Sequence, residues 1–308
     1  MRYKMTYIFF LLFFLTTIPY IITIFMNKKS VKMLSGENYN SGYKIQEKNN
    51  MIDLETYLLK ILPSQISMDQ EEETIKCQAI ILRTDLISKM EKTKKIDIVQ
   101  LSYQQYEDEQ YKNELGNHAY EIMDQKRKKA VRETRGKVLT YKGNMIKPYF
   151  HAVSVGMTLD AREWFEKDIP YLKQRESLSD IEAKDYMSVV TVPYEKIQKI
   201  LNETKKPTID QIKKGLKIHK TTKNGYVKQV KIDNFLITGE SFAQKLQLAS
   251  TNFYFEDYKG RLRIICLGKG NGLGFSQYGA DQMAKNKKSY KKILNYYYPK
   301  TSIKKLYE

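Results

Sequence analysis

Residues 69–90 read DQEEETIKCQAIILRTDLISKM. Ile75, Ala79, Leu82, Leu86 and Met90 recur three or four positions apart, which is the period of one helix face. A helical run of this length excludes an all-β chain. Asp69 followed by Glu72 has the spacing of a capping box and predicts where the helix opens. Lys76 and Arg83 are seven residues apart, nearly two turns, so a helix places them on one face about 10 Å apart. Two cations on one face can hold an anionic or hydroxyl-rich ligand; the ordinary reading of such a pair is a solvated helix face.

Upstream, Leu54, Tyr57, Leu58 and Ile61 follow the i, i+3, i+4, i+7 pattern of a short amphipathic helix, which Pro63 is expected to end. Residues 27–50 are polar, with no apolar period, and read as a linker. Before them, residues 7–26 (YIFFLLFFLTTIPYIITIFM) carry no charge. Twenty helical residues span about 30 Å, the thickness of a bilayer core. The run is longer than the apolar region of a secretory signal, and no small-residue cleavage pattern follows it. The expected organisation is a cytoplasmic tail over 1–6, a membrane anchor over 7–26, a linker over 27–50 and one domain over 51–308. Arg2 and Lys4 before the span nearly balance Lys28, Lys29 and Lys32 after it. The short tail and long polar remainder favour export of the C-terminal part. The expected location is therefore the cell membrane, crossed once, with the domain outside.

Downstream, a third helix is expected near 117–133, then a hairpin of 137–141 and 145–154 around Lys142-Gly143-Asn144. Short β-rich runs (MSVVTV, YVKQVKI, NFLITG, TNFYFED, RLRIICL) then alternate with short helices at 194–202 and 240–247. Tyr258-Lys259-Gly260-Arg261 reads as a turn. Ser289 is a candidate N-cap of a last helix with Tyr290, Ile293, Leu294 and Tyr297 on its inner face. There is no regular βαβ rhythm, so the fold class is α+β.

Composition narrows the function classes. The chain has 308 residues, is 42% hydrophobic and carries a net charge of +18. It can build a core, and an anionic partner or surface suits it: wall polymer, membrane lipid or nucleic acid. Two cysteines exclude a disulfide scaffold, and no Cys/His cluster has zinc spacing. Cys77 and Cys266 lie in apolar contexts and are expected as buried thiols, although export would allow one bridge.

Two further segments stand out. Tyr149 to Thr158 (YFHAVSVGMT) is β-like and ends in small polar residues; its lone His151 and Ser154 do not make a hydrolase triad. Residues 268–280 (GKGNGLGFSQYGA) place glycine at every second position, which would strip one face of an extended segment and let another chain approach the backbone. They fit neither a phosphate-binding Walker loop nor a dinucleotide fingerprint. Alone, this run reads as a tight turn between strand and helix.

Together these segments resemble the stage II sporulation protein D family, with its amidase-enhancer relatives. The family's Pro-Ser-Glu-Met loop has its counterpart in Pro63-Ser64-Gln65-Ile66, 13 residues before Gln78 in the run Ile75 to Thr84 that matches the family's Leu-Lys-Ala-Gln-Ala-x-x-Ala-Arg-Thr helix. Ser154, Gly156 and Thr158, with Pro170-Tyr171-Leu172, resemble the middle segment. Residues 268–280 resemble Gly-x-Gly-His-Gly-x-Gly-Met-Ser-Gln-x-Gly-Ala, and Ser289 to Leu294 with Tyr297-Tyr298-Pro299 fit the family's end. The match runs in order from Asp53 to the C-terminus. It implies a membrane-anchored protein facing the wall, which cleaves peptidoglycan glycan strands stripped of stem peptides as a lytic transglycosylase. It also implies work beside a partner amidase and other membrane proteins of the engulfment machinery during sporulation.

The departures are specific. The family's catalytic acid falls on Gln65, an amide without a titratable proton, whereas glycan cleavage needs a group that protonates the leaving oxygen. The family's His is Asn271, its Met is Phe275, and its Gly-Gly pair is Val155-Gly156. The residues expected to hold substrate are Lys76, Arg83, Ser154, Gly156, Thr158, Gly270, Asn271, Gly272, Gly274, Ser276 and Gln277. The metal-binding Cys/His sets of some family members have no counterpart, so neither a metal nor another cofactor is expected. The expectation is a glycan-strand binder with weak or lost cleavage. The alternative is an active enzyme using Asp69, Glu71, Glu72 or Glu73 as a substitute acid. Nucleic acid is not an expected partner, since no recognised binding motif accompanies the charge.

Overall fold

A computed structural model describes residues 39–90, 93–201 and 207–308. The expected anchor over 7–26 lies outside them. Among the described residues no helix is long and apolar enough to cross a membrane. Residues 41–308 make one compact unit of mixed helices and strands.

The unit begins with β1 (Lys44–Glu47) and β2 (Asn50–Asp53), an antiparallel pair. The linker expectation therefore fails over 44–50. Only Ile45 of β1 is fully buried, and one inward apolar residue is too few to show a period of two. Asp53 then caps α1 (Leu54–Gln65), its side chain accepting from the Glu55 N–H at 3.0 Å. Pro63 sits inside α1 rather than ending it. Proline cannot donate to the Leu59 carbonyl, and Arg127 Nη1 takes that oxygen instead, at 3.2 Å.

Helix α2 (Glu72–Met90) is the centre of the unit. Its expected stripe of Ile75, Ala79, Leu82, Leu86 and Met90 is buried, but so are Thr74 to Ile87 on every side, because α2 packs on other elements all round. Asp69 does not cap it; its carboxylate accepts from Ser67 Oγ at 3.4 Å. The Thr74 N–H is met locally by the Glu71 carbonyl at 2.9 Å, and the start of the helix is held from far along the chain. Asp281 Oδ1 accepts from the Glu71 N–H at 2.7 Å and from Thr74 Oγ1 at 3.4 Å.

After β3 (Lys95–Asp97), which lies parallel to β1, come α3 (Asp108–Leu115) and α4 (Asn117–Glu133), separated at Gly116. The expected hairpin forms between β4 (Lys137–Tyr141) and β5 (Asn144–Met145), but it is short. Pro148, which has no N–H, follows β5, and the next strand, β6 (Phe150–His151), pairs with the glycine-rich run instead. A short helix, α5 (Ala161–Phe165), follows.

A second apolar cluster gathers the later elements. These are β7 (Met187–Val192), α6 (Tyr194–Ile200), α7 (Ile209–Gly215), β8 (Lys217–Thr221), β9 (Val227–Ile232), β10 (Phe235–Thr238), α8 (Gly239–Leu246), β11 (Phe253–Tyr258) and β12 (Arg261–Leu267). They make two three-stranded sheets ordered β10-β9-β8 and β11-β12-β7. The chain closes with β13 (Phe275–Ser276), α9 (Gln277–Lys285), α10 (Tyr290–Tyr297) and β14 (Ser302–Lys305). Strand β14 returns to pair with β4. Cys77 and Cys266 are both free and buried, in different clusters.

Candidate functional site

Gln65 is the last residue of α1 and is half-buried. Its side-chain amide donates to Ser64 Oγ at 2.9 Å. Its main-chain carbonyl accepts from Gln277 Nε2 at 2.6 Å, and the same Nε2 donates to Gln78 Oε1 at 3.1 Å. The end of α1, the middle of α2 and the start of α9 therefore meet at one point, although their residues are up to 212 positions apart.

Ser276 sits beside that point and caps α9, its Oγ accepting from the Gly279 N–H. The same hydroxyl donates to Asp180 Oδ2 at 2.6 Å, and the Ser154 N–H donates to that oxygen at 2.7 Å. Asp180 thus ties the middle segment to the glycine-rich run. Sequence reasoning missed it: an acid within Ser177-Leu178-Ser179-Asp180 is too common a pattern to select. Ser154 Oγ, Asp180 Oδ1 and His151 Nε2 are buried without hydrogen-bond partners among the described residues. His151 lies in β6 alongside Ser276, and its Nδ1 donates to the Leu273 carbonyl at 2.9 Å, since a carbonyl can only accept. Burial lowers the pKa of His151 below its ordinary value, against the opposing pull of the Leu273 carbonyl and the Asp180 charge.

The glycine-rich run is not an extended segment with a bare face. Gly268, Gly270, Gly272 and Gly274 all have positive φ, from 67° to 110°. The space beside them is filled by the protein itself. A Cβ on Gly272 would lie 2.2 Å from the Tyr226 hydroxyl oxygen, and one on Gly274 would lie 2.1 Å from the Tyr149 carbonyl oxygen. Glycine is needed here so that the loop can close on its own core. Gly270 and Asn271 remain half exposed; Asn271 Oδ1 accepts from the Leu273 N–H at 3.0 Å and shapes the turn.

Several residues expected to hold substrate have other work. Arg83 is completely buried and forms a two-pronged pair with Glu55, Nε to Oε1 and Nη2 to Oε2, both at 2.8 Å. Its Nη1 also donates to the Lys137 carbonyl at 3.2 Å. Glu55 accepts in addition from the Tyr307 hydroxyl at 2.6 Å and the Gly136 N–H at 3.3 Å. Arg83 therefore joins α1, α2, β4 and the C-terminus, and no ligand reaches it. The clue in the sequence was its position on the apolar face beside Ala79 and Leu86, where a buried cation demands an acid. Thr158 is buried as well, its hydroxyl donating to the Lys173 carbonyl and accepting from the Arg175 N–H. Gly156, at φ +88°, accepts from the Ser177 N–H.

Lys76 is also largely buried. It pairs with Glu73 at 2.6 Å and with Glu133 at 2.7 Å. Burial works against its charge, but the two carboxylates outweigh it and raise its pKa. The expected substrate set thus divides into a junction (Gln65, Gln277, with Ser276 and Ser154 beneath), a half-exposed turn (Gly270, Asn271), positions packed or bonded within the fold (Gly156, Thr158, Gly272, Gly274) and structural ion pairs (Lys76, Arg83).

Among the described residues no group of three or more His, Cys, Asp or Glu side chains is placed to hold a metal ion.

A model of a stage II sporulation protein family matches residues 43–141. Stage II sporulation protein D of Bacillus amyloliquefaciens is 30% identical over 263 residues, which is 82% of this chain and 74% of that protein. The protein of the same description from Bacillus subtilis (strain 168) is 29% identical over 260 residues, with the same coverage. An amidase enhancer of Bacillus subtilis (strain 168) is 23% identical over 225 residues, 57% of this chain and 32% of that protein. The matched stretches take in Gln65 and Gln78, and the long relatives extend the likeness over most of the unit that brings these residues together; the chain belongs to the stage II sporulation protein D family.

Proposed function

We propose that the chain is a sporulation-linked wall protein that holds peptidoglycan glycan strands at the Gln65–Gln277 junction, with weak or lost lytic transglycosylase activity. The observation that carries this reading is the 2.6 Å bond from Gln277 Nε2 to the Gln65 carbonyl, beside a side chain that is an amide where the family has its acid. Amides and hydroxyls bind sugar hydroxyls well, but an amide cannot supply the proton that the leaving oxygen needs. In this reading residues 7–26 anchor the protein in the cell membrane, the domain faces the wall, and the protein works beside a partner amidase and other membrane proteins of engulfment. The likeness to an amidase enhancer supports that partnership.

The second reading, an active enzyme with a substitute acid, draws on one observation. Glu72 is paired with Lys129 and Glu73 with Lys76, whereas the exposed Glu71 carboxylate has no hydrogen bond or ion pair among the described residues.

The test uses the purified full chain, denuded glycan strands, and mass spectrometry for anhydro-muramyl ends. The proposal expects strand retention without product, and product once Gln65→Glu restores the acid, a gain of about 10²–10⁴-fold. Clear product from the unaltered chain that Glu71→Gln abolishes establishes the second reading instead.

A further inference from the structure

Residues 282–307 contain eight lysines and no acidic residue, so 26 positions carry +8 of the chain's net +18. Lys287, Lys288, Lys291, Lys292, Lys300 and Lys304 form no ion pair among the described residues. The segment is folded around a groove of about 380 Å³ between α10, β4 and β14. Lys137, Lys291 and Lys305 rim it, over a floor that includes Leu294 and Ile303, with the Asn295 amide at its side.

The rim is short of counter-charge. Lys137 Nζ donates to the Glu133 carbonyl at 2.7 Å and to the Tyr290 hydroxyl at 2.9 Å, both neutral, which leaves one ammonium N–H for a ligand. Among the described residues Lys305 forms an ion pair with Glu308 alone, whose exposed side chain a ligand can displace. The lining has no arginine, so the two-pronged fork that suits planar carboxylates is absent, and compact ammonium point charges favour phosphate. The Tyr290 ring has Lys137 Nζ over one face, 5.1 Å from its centre, so a nucleobase has at most its other face to stack on. A concave groove of this size takes one or two repeat units of a thin chain rather than a flat membrane.

We propose that this groove binds a phosphodiester-linked anionic polymer of the wall, with neutral polyol units lying over the apolar floor. The inference rests on the wall-facing reading above, but it concerns a different surface from the glycan junction. Polymer held here would dock the domain in the wall independently of glycan cleavage.

The test is isothermal titration of the full chain with synthetic poly(glycerol phosphate) about ten units long, at two salt concentrations. The expected result is binding that weakens with salt and drops roughly tenfold or more in Lys291→Glu, since one phosphate contact is lost and a repulsive charge takes its place. Lys291→Glu should leave retention of denuded glycan, whose charges are carboxylates and not phosphodiesters, unchanged at the Gln65–Gln277 junction, so the two surfaces fail separately. Equal affinity for a single-stranded oligonucleotide or for anionic vesicles of matched charge overturns the proposal. So does wild-type affinity in both Lys291→Glu and Lys291→Glu/Lys305→Glu.

Discussion

Replacing Arg83 by methionine separates a structural arginine from a ligand-binding one. The side chains of Arg83 and Glu55 are both fully excluded from solvent and share two bonds of 2.8 Å. Methionine fills much of the same volume but leaves the Glu55 carboxylate buried with only the Tyr307 hydroxyl and the Gly136 N–H beside it. Stranding one partner of a buried pair costs about 3–5 kcal/mol. At about 2–4 °C per kcal/mol for a domain of this size, the melting temperature should fall by roughly 6–20 °C. Arg83→Met/Glu55→Leu should recover part of that loss, because the uncompensated charge is gone, but not all, because Tyr307 and Gly136 then lack their acceptor. The assay is thermal and urea unfolding alongside glycan retention. A variant that melts within about 1 °C of the wild type yet no longer retains glycan would refute the reasoning and return Arg83 to the binding face.

Gly272→Ala should destabilise by about 2–5 kcal/mol, since φ is +74° and the added carbon would lie 2.2 Å from the Tyr226 hydroxyl; an unchanged urea midpoint would show that the loop is not packed as described. His151 gives a pH signature. Its folded pKa lies below the ordinary 6.5, so beneath that value the unfolded chain binds more protons and stability falls as pH drops. His151→Gln should flatten the decline in melting temperature between pH 7 and 5; an unaltered slope assigns the decline to other groups. Asp180→Asn should cost about 1–3 kcal/mol through weaker bonds to the Ser154 N–H and the Ser276 hydroxyl, read by chemical unfolding; a neutral result would mean that Asp180 does not tie the two segments.

Much of the fold was legible where burial has a period. The stripes in 54–61 and 75–90, the helix over 117–133, and Ile293, Leu294 and Tyr297 of α10 all repeat at helical spacing and are all found in helices. The β-rich runs of β9, β11 and β12 read as strands from their residue types and are strands, although burial alternates cleanly only in β12. Elements of two residues, such as β6 and β13, carry no period and exist because they pair with each other, β13 coming from within the glycine-rich run. Helix α10 begins after Ser289, as its residue type suggests, but the Tyr290 N–H is satisfied by Glu73 at 2.7 Å, not by the serine side chain.

Residue order alone therefore determined the α+β class, the main helices and the family, because periodic burial and motif spacing are written along the chain. It also identified Gln65 as an amide where an acid is expected. Which partners each polar group has was decided only by the tertiary structure. Asp281 caps α2, Glu55 claims Arg83, and Asp180 joins Ser154 to Ser276 across separations that no local pattern encodes. A buried charge or an open helix end must be satisfied, but only the folded chain brings up the group that satisfies it.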